Sequence, residues 1–405
     1  MGLIDIYNRS KILKTLTFAL INLTMLPVVL LLFTLDPLVK LKFIKIRSER
    51  IGHLAANTEV FLRRLDMGII KKRKIKFIGI TGTKIANKQL LKMYKRVLPI
   101  IQVPEIINGT IIQLLFNKMS LVAKLGFFKD LPMESNEYKE FSYGKPVLKF
   151  TGPEKIKGEG LLREMGLKGN DWFICFHSRG PKYLAHELKS IDTSYHDYRN
   201  WDIATAMKAV EYINSKGGYA VRMGAIVEKR LPDMGSSRVI DYATKHRSEF
   251  GDIYLPSRCK FFLGDGCGLN QVGQIFNVPE AWVNVLPLEN PPWSCRGVYI
   301  PKKLYSLRKK RLLTFKEIVD SGLSNAWRAD EYKNAGVRWV DNTPEEILDL
   351  VKEVNERIDG AWRETEEDRE FQKRFRALFR QGSHCHGFLS RIGAKFLREN
   401  KHLLE

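Results

Sequence analysis

The segment Trp172 to Gly180 reads W-F-I-C-F-H-S-R-G, an apolar, β-prone run that ends abruptly in His177-x-Arg179 and a glycine. This is how a buried strand looks when it delivers charge to the carboxyl edge of a parallel sheet, where open α/β sheets bind their ligands. A guanidinium at that edge can grip a phosphate through two parallel hydrogen bonds. The same residues also fit a surface loop after a strand, with a structural histidine beside it. Tyr219 onward repeats the pattern and ends in Arg222-Met223-Gly224. A third run breaks at Gly264-Asp265-Gly266-Cys267-Gly268 and opens into Leu269 and Asn270. Glycines let a backbone approach phosphate closely, and a helix start offers N–H groups and a positive dipole end. The loop lacks the full G-x-G-x-x-G spacing and is weak alone. With Arg179 and Arg222 delivered from strand ends it makes a diphosphate cradle.

Two further groups invite a chemical reading. Tyr195 to Asn200 is dense in hydrogen-bonding side chains, so Tyr198, Arg199 and Asn200 line a cleft or belong to a solvated loop. His53 follows a strand-like run. A cleft imidazole can act as a general base; a satisfied structural histidine is the alternative. Thr81-Gly82-Thr83-Lys84 resembles the end of a phosphate loop, but Phe77 occupies the place of its first glycine, which leaves a strand-to-helix turn. No Asp-x-Asp pair occurs, so a leaving diphosphate would be neutralised by arginines and helix dipoles rather than by a metal. His384-Cys385-His386 lacks companions at metal-ligand spacing and reads as a surface tract. Neither a metal nor a cofactor is expected.

These residues need strands to hold them. Leu41–Ile46 and Lys76–Ile80 read as strands, with helices over Ala55–Leu65 and Asn87–Leu98, the latter stopped by Pro99. Later, Phe173–Phe176, Tyr219–Met223, Val239–Ile240, Lys260–Leu263, Ala281–Val285 and Val337–Val340 read as strands between helical stretches such as Asp202–Asn214 and Glu345–Arg357. Such alternation predicts parallel sheets. The fold expected is α/β, with two facing Rossmann-like domains and a cleft between them. The divisions are 1–40, a membrane-associated segment; 41–157, an acceptor-side domain with a bridge; 158–360, a nucleotide-binding domain; and 361–405, a helical tail.

The chain has 405 residues, 28% of them charged and 44% hydrophobic, an ordinary globular balance, but Lys plus Arg exceed Asp plus Glu by 67 − 45 = +22. Such an excess draws anions: nucleic acid, anionic lipid or phosphorylated substrates. No zinc-finger spacing, aromatic RNA-binding box or basic zipper accompanies it, so nucleic acid is not the expected partner. The five cysteines form no framework and suit reduced thiols in a cytosol-facing protein. Thr15 to Leu35 carries no charge and is bracketed by Arg9, Lys11 and Lys14 and by Lys40, Lys42, Lys45, Arg47 and Arg50. About 20 apolar residues can span a bilayer. Pro27 would kink the helix or turn it back, giving a bent span or an interfacial hairpin. A buried core helix is the remaining option.

Arg50-Ile51-Gly52-His53-Leu54, His177-x-Arg179, Asp197-Tyr198-Arg199-Asn200, Arg222-Met223-Gly224, Ile240-Asp241-Tyr242-Ala243, Asp252-Ile253-Tyr254-Leu255 and Phe262 to Leu269 occur in one order, with Asp341 to Glu346 after them. From about residue 44 onward this pattern resembles a bacterial family of glycosyltransferases found with surface-polysaccharide genes. More distantly, the chain is similar to α-1,6-fucosyltransferase-type enzymes of the GT-B fold, which also end a strand in His-x-Arg. That likeness implies Arg179 on the donor diphosphate and Gly266, Gly268, Leu269 and Asn270 near the donor. Gly180 stands where that type has a second arginine, so a fucosyl donor is not implied. The resemblance implies a glycosyltransferase acting on a nucleotide-sugar donor and a glycan or lipid-linked acceptor. With the apolar segment, this places the chain at an anionic membrane surface, the cytoplasmic face of a bacterial inner membrane. A sugar-nucleotide epimerase on the same plan is the enzymatic rival. A basic membrane- or nucleic-acid-binding protein is the non-enzymatic one.

Overall fold

The structure is a computed structural model that describes residues 11–71, 75–105, 107–109, 127–131, 138–182, 192–227, 229–232, 234–383 and 385–405. The chain divides into two compact units, Met1–Pro132 and Met133–Glu405.

The first unit opens with helix α1 (Lys11–Leu35), which runs unbroken through Pro27. The hairpin expected at Pro27 is therefore corrected: proline removes one N–H from the helix ladder without ending it here. Among the described residues no helix is long and apolar enough to cross a membrane, and α1 carries Lys11, Lys14, Asn22 and four threonines among its apolar residues. The spanning option has no support from this helix. Leu16, Leu20, Leu23 and Leu30 recur at helical spacing and are exposed, whereas Leu32 is buried near the C-terminal end. Strands β1 (Lys40–Lys45), β2 (Ile75–Thr81), β3 (Ile100–Gln102) and β4 (Phe128–Asp130) form one sheet in the order β3-β2-β1-β4. Every pairing in it is parallel. Helices α2 (Thr58–Asp66) and α3 (Lys88–Lys95) accompany it. Asn87 caps α3 by accepting the Leu90 N–H at 2.8 Å.

In the second unit seven strands form a parallel sheet in the order β14-β10-β9-β8-β5-β6-β7. They are β5 (Phe173–Phe176), β6 (Tyr219–Arg222), β7 (Val239–Ile240), β8 (Phe262–Gly264), β9 (Glu280–Val285), β10 (Gly297–Pro301) and β14 (Arg391–Ile392). Both faces are covered, so β5, an apolar run, and β9, which carries Glu280 and Asn284 among apolar residues, are buried along their whole length. Side chains of β5 alternate between two cores. Ile174 and Phe176 join Val210, Ile213, Leu350 and Val354 on one face. Phe173 and Cys175 join Met165, Leu255 and Val278 on the other. A small antiparallel sheet, β12-β11-β13, is built from β11 (Lys303–Ser306), β12 (Arg311–Leu312) and β13 (Val337–Val340). Helix α4 (Met207–Ser215) follows a 3₁₀ turn at Ile203–Ala206, and α5 (Asn270–Ile275) follows β8. Residues set apart as a tail supply β14, with Phe371, Phe375 and Phe388 in the same core as Tyr299.

From β5 the chain adds β6 and β7 on one side, then β8, β9 and β10 on the other. The order reverses between β5 and β8, and the loops leaving these two strands diverge there. A crevice at the carboxyl edge of such a reversal is the binding position of open α/β sheets.

Candidate functional site

At the end of β5, His177 Nδ1 lies 3.0 Å from the Met223 carbonyl. A carbonyl only accepts, so Nδ1 carries the proton and Nε2 is left as an acceptor. Burial is the main cause lowering the His177 pKa, which keeps the ring neutral at neutral pH. Arg179 donates its backbone N–H to Asp265 Oδ2 at 3.0 Å. Its guanidinium Nε is buried without a hydrogen-bond partner. Burial, then the neighbouring Arg199 cation, lowers the Arg179 pKa.

At the end of β8, Asp265 is nearly fully buried. Oδ2 accepts from the Arg179 backbone and, at 2.8 Å, from the Trp201 indole. Oδ1 is buried with no partner. In the sequence Asp265 reads only as part of a glycine turn; the signal available is an acidic residue between two glycines at a strand end. Gly264 is needed there, because a Cβ would lie 2.6 Å from Asn270 Oδ1. A Cβ on Gly266 would meet Asn290 at 3.1 Å and the Trp282 ring at 3.2 Å. Gly268 and Leu269 form the turn into α5, and Leu269 packs against the core. The Cys267 thiol donates to Asn270 Oδ1 at 3.4 Å, and burial pushes its pKa up. The start of α5 thus faces a buried thiol. The Asn270 side-chain NH₂ is buried without a partner.

The turn Ser194–Arg199 brings in the remaining candidates. Arg199 Nη2 donates to the Gly266 carbonyl and ties the turn to the glycine loop. Tyr198 is wholly buried, its ring 5.4 Å from Tyr332, and its hydroxyl has no partner. Asn200 donates to Asp197 Oδ1 at 2.9 Å, and its Oδ1 is buried and unpartnered. Trp201 donates its backbone N–H to the Arg179 carbonyl at 3.3 Å. Arg179, Arg199, Asp265 and the glycine loop therefore form one connected group.

Arg222 stands apart from that group. Its guanidinium bonds Asp241 Oδ2 at 3.3 Å and the Lys229 carbonyl at 2.6 Å, and it is buried. It fastens the loop after β6. Gly224 follows at φ 152°, where a Cβ would lie 2.7 Å from Val227.

His53 belongs to the first unit. It begins a π-helical turn, His53–Asn57, a widened turn frequent at functional sites. Its Nδ1 lies 3.0 Å from Asn57 Oδ1, and burial, as the largest cause, lowers its pKa. A neutral imidazole donating from Nδ1 presents a basic Nε2. Tyr94 donates its hydroxyl to the Ala55 carbonyl of this turn at 2.8 Å.

Among the described residues no cluster of His, Cys, Asp and Glu could hold a metal ion. His384 lies outside the described residues; Cys385 is buried, and His386 Nδ1 lies 3.0 Å from the Phe379 carbonyl. The connected group in the second unit combines two guanidinium groups with unpartnered donors at Arg179 and Asn270 and unpartnered acceptors at Asp265 and Asn200. Cationic donors suit a phosphate; acceptor-only oxygens suit hydroxyl groups. A sugar carried on a diphosphate presents both.

No family model matches the chain, and no curated protein matches it. Among solved structures it is similar to the E. coli ADP-heptose lps heptosyltransferase II, with 12% identity, 78% of this chain and 99% of that chain covered, and a TM-score of 0.46. It is also similar to a glycosyl transferase family 9 protein from Veillonella parvula, with 11% identity, 65% and 86% coverage, and a TM-score of 0.43. A third is the iron-containing dodecameric glycosyltransferase TibC of enterotoxigenic E. coli, with 11% identity, 63% coverage of both chains and a TM-score of 0.37.

Proposed function

We propose that this protein is a GT-B-like glycosyltransferase that takes a sugar from a nucleotide donor and moves it to a hydroxyl of a glycan or lipid-linked acceptor, as in surface polysaccharide synthesis. The observation that carries this reading is the pairing of Arg179 and Arg199 with Asp265 and the glycine loop at the order reversal of the parallel sheet. The two guanidinium groups would hold the diphosphate and stabilise the charge that develops on it as it leaves. Asp265 Oδ1 and Asn200 Oδ1 would accept from sugar hydroxyls. The acceptor oxygen would attack the anomeric carbon as its bond to the diphosphate breaks, a general base taking the proton; His53 Nε2 is the candidate base. Transfer would need no metal.

The exposed leucines of α1, together with the basic residues that follow it, support attachment to an anionic membrane surface, in a bacterium the cytoplasmic face of the inner membrane. Lipid-linked acceptors are found at such a surface.

The test is a thermal-shift series with nucleoside diphosphates and the matching nucleosides, because a ligand that binds only the native state raises its stability. One diphosphate should stabilise the chain well above its nucleoside. No shift with any nucleotide would refute the reading. Turnover of a nucleotide sugar without any acceptor would show an epimerase instead.

A further inference from the structure

The residue after β10, Lys302, has a side chain with no solvent exposure. Its Nζ donates to Asp341 Oδ1 at 2.7 Å and to the Asn200 carbonyl at 2.7 Å. Asn200 lies between two residues fastened to the donor loop: Arg199 on the Gly266 carbonyl and Trp201 on Asp265. Asp341 follows β13, in the small antiparallel sheet. The segment between β12 and β13 packs on the same turn twice more. The Tyr332 ring lies 5.4 Å from Tyr198, and the Arg328 guanidinium lies 5.2 Å from the Tyr195 ring. An apolar side chain of similar length would fill the Lys302 position without taking a charge out of water. A retained ammonium therefore has a task that volume does not explain, and its two bonds show where that task lies.

We infer that Lys302 is a positioning residue for the donor: its buried ammonium, braced by Asp341, fixes the Arg199–Trp201 segment so that Arg199 meets the diphosphate. This rests on the nucleotide-sugar reading and deepens it. The small sheet becomes the buttress of the donor-binding turn. The titratable groups facing Lys302 are Asp341, after β13, and Asp265, after β8. Burial lowers the lysine pKa, and Asp341 opposes that effect. Diphosphate affinity should therefore fall at alkaline pH as the ammonium is lost, with the fall set by Asp341.

The experiment is calorimetric titration of the full chain in detergent with ADP, UDP, GDP and CDP and with their nucleosides, across pH. Lys302→Met should weaken the diphosphate roughly 10- to 100-fold, the range for a lost charge-assisted hydrogen bond, and leave the nucleoside unchanged. Lys302→Arg keeps its charge at every pH and should abolish the alkaline fall. Asp341→Asn should move that fall to lower pH. The last two variants carry the test if Lys302→Met does not fold. Unchanged diphosphate binding in Lys302→Met overturns the inference, as does equal loss of diphosphate and nucleoside. An alkaline fall that Lys302→Arg and Asp341→Asn leave in place also overturns it. If the wild-type chain binds no nucleotide at pH 7, the nucleotide-sugar reading fails first and this inference falls with it.

Discussion

Glu280 begins β9 and is completely buried. Its two hydrogen-bond partners are neutral: the Trp282 indole on Oε1 at 3.0 Å and the Gln274 amide on Oε2 at 3.0 Å. Burial pushes the carboxyl up to about 8. Gln274 Oε1 is buried without a partner. Turning that amide over would set Oε1 against Glu280, where a protonated carboxyl can donate to it; amide orientation follows from such networks. Glu280 is therefore a neutral acid at neutral pH. Its folded value lies above the unfolded value of 4.5, so the folded state keeps a proton that the unfolded chain releases. Stability from this source is fully present below pH 4.5 and is lost as pH rises through about 8. A displacement of this size corresponds to roughly 5 kcal/mol, an upper figure because water entry would soften it. Glu280→Gln keeps the shape and both hydrogen bonds and cannot ionise. At pH 5 the variant should melt within a few degrees of wild type. At pH 9 it should melt higher, by roughly 10 °C for that free energy in a unit of this size. Differential scanning calorimetry of both proteins from pH 5 to 9 measures this. A melting difference that stays flat across the range, or a variant less stable at pH 9, refutes the neutral-acid assignment.

Arg179→Ala should weaken nucleoside diphosphate binding by roughly 10- to 100-fold and nucleoside binding little, with Arg179→Lys restoring only part, because a point charge lacks the guanidinium fork; titration with both ligands decides. His53→Ala should lower kcat by roughly 10²- to 10⁴-fold with donor affinity unchanged. Since burial lowers the His53 pKa, activity should hold at neutral pH and fall only on acidification below the ordinary histidine value; an acid limb that persists in the variant removes His53 as the base. Transfer should persist in EDTA, and loss restored by magnesium or manganese would overturn the metal-independent reading. Removing residues 1–39 should convert salt-resistant membrane association into salt-extractable association, because buried apolar area is not screened by salt; fractionation in high salt checks it.

The strands that position the site were legible because each is an apolar run that ends in a charge or a glycine. β5, β6 and β8 all have this form. What the runs do not encode is where a side chain goes after the strand ends. Arg179 and Arg222 look alike in sequence, each closing a strand. The structure leaves the Arg179 Nε unpartnered and gives Arg222 to Asp241 and the Lys229 carbonyl. That difference depends on neighbours brought in by the fold. Asp265 and Lys302 were missed for the same reason. Lys302 meets the Asn200 carbonyl across a separation of 102 residues, which no local window contains. The sequence places His53 after a strand-like run and starts a helix at Ala55; the π-helical turn His53–Asn57 that joins them has no composition of its own. Strands β11, β12 and β14 are two to four residues long and lie among charged residues, and their pairing is set by the sheets they join. At Pro27 the helix continues because its length absorbs one missing hydrogen bond.

The thiol of Cys267, two residues before the backbone N–H groups that open α5, donates to the Asn270 side-chain oxygen at 3.4 Å. A phosphate cradle made from such backbone groups would survive almost any side-chain replacement. On the proposed reading, charge for the leaving group comes instead from the side chains of Arg179 and Arg199. Two codons would then govern much of the affinity. Replacing either arginine would retune which anion the protein accepts, while the strand, the glycine turn and the helix stay in place. A scaffold of this kind can exchange one leaving group for another in single mutational steps, and drift at positions 179 and 199 between relatives would mark a change of substrate before any change of fold.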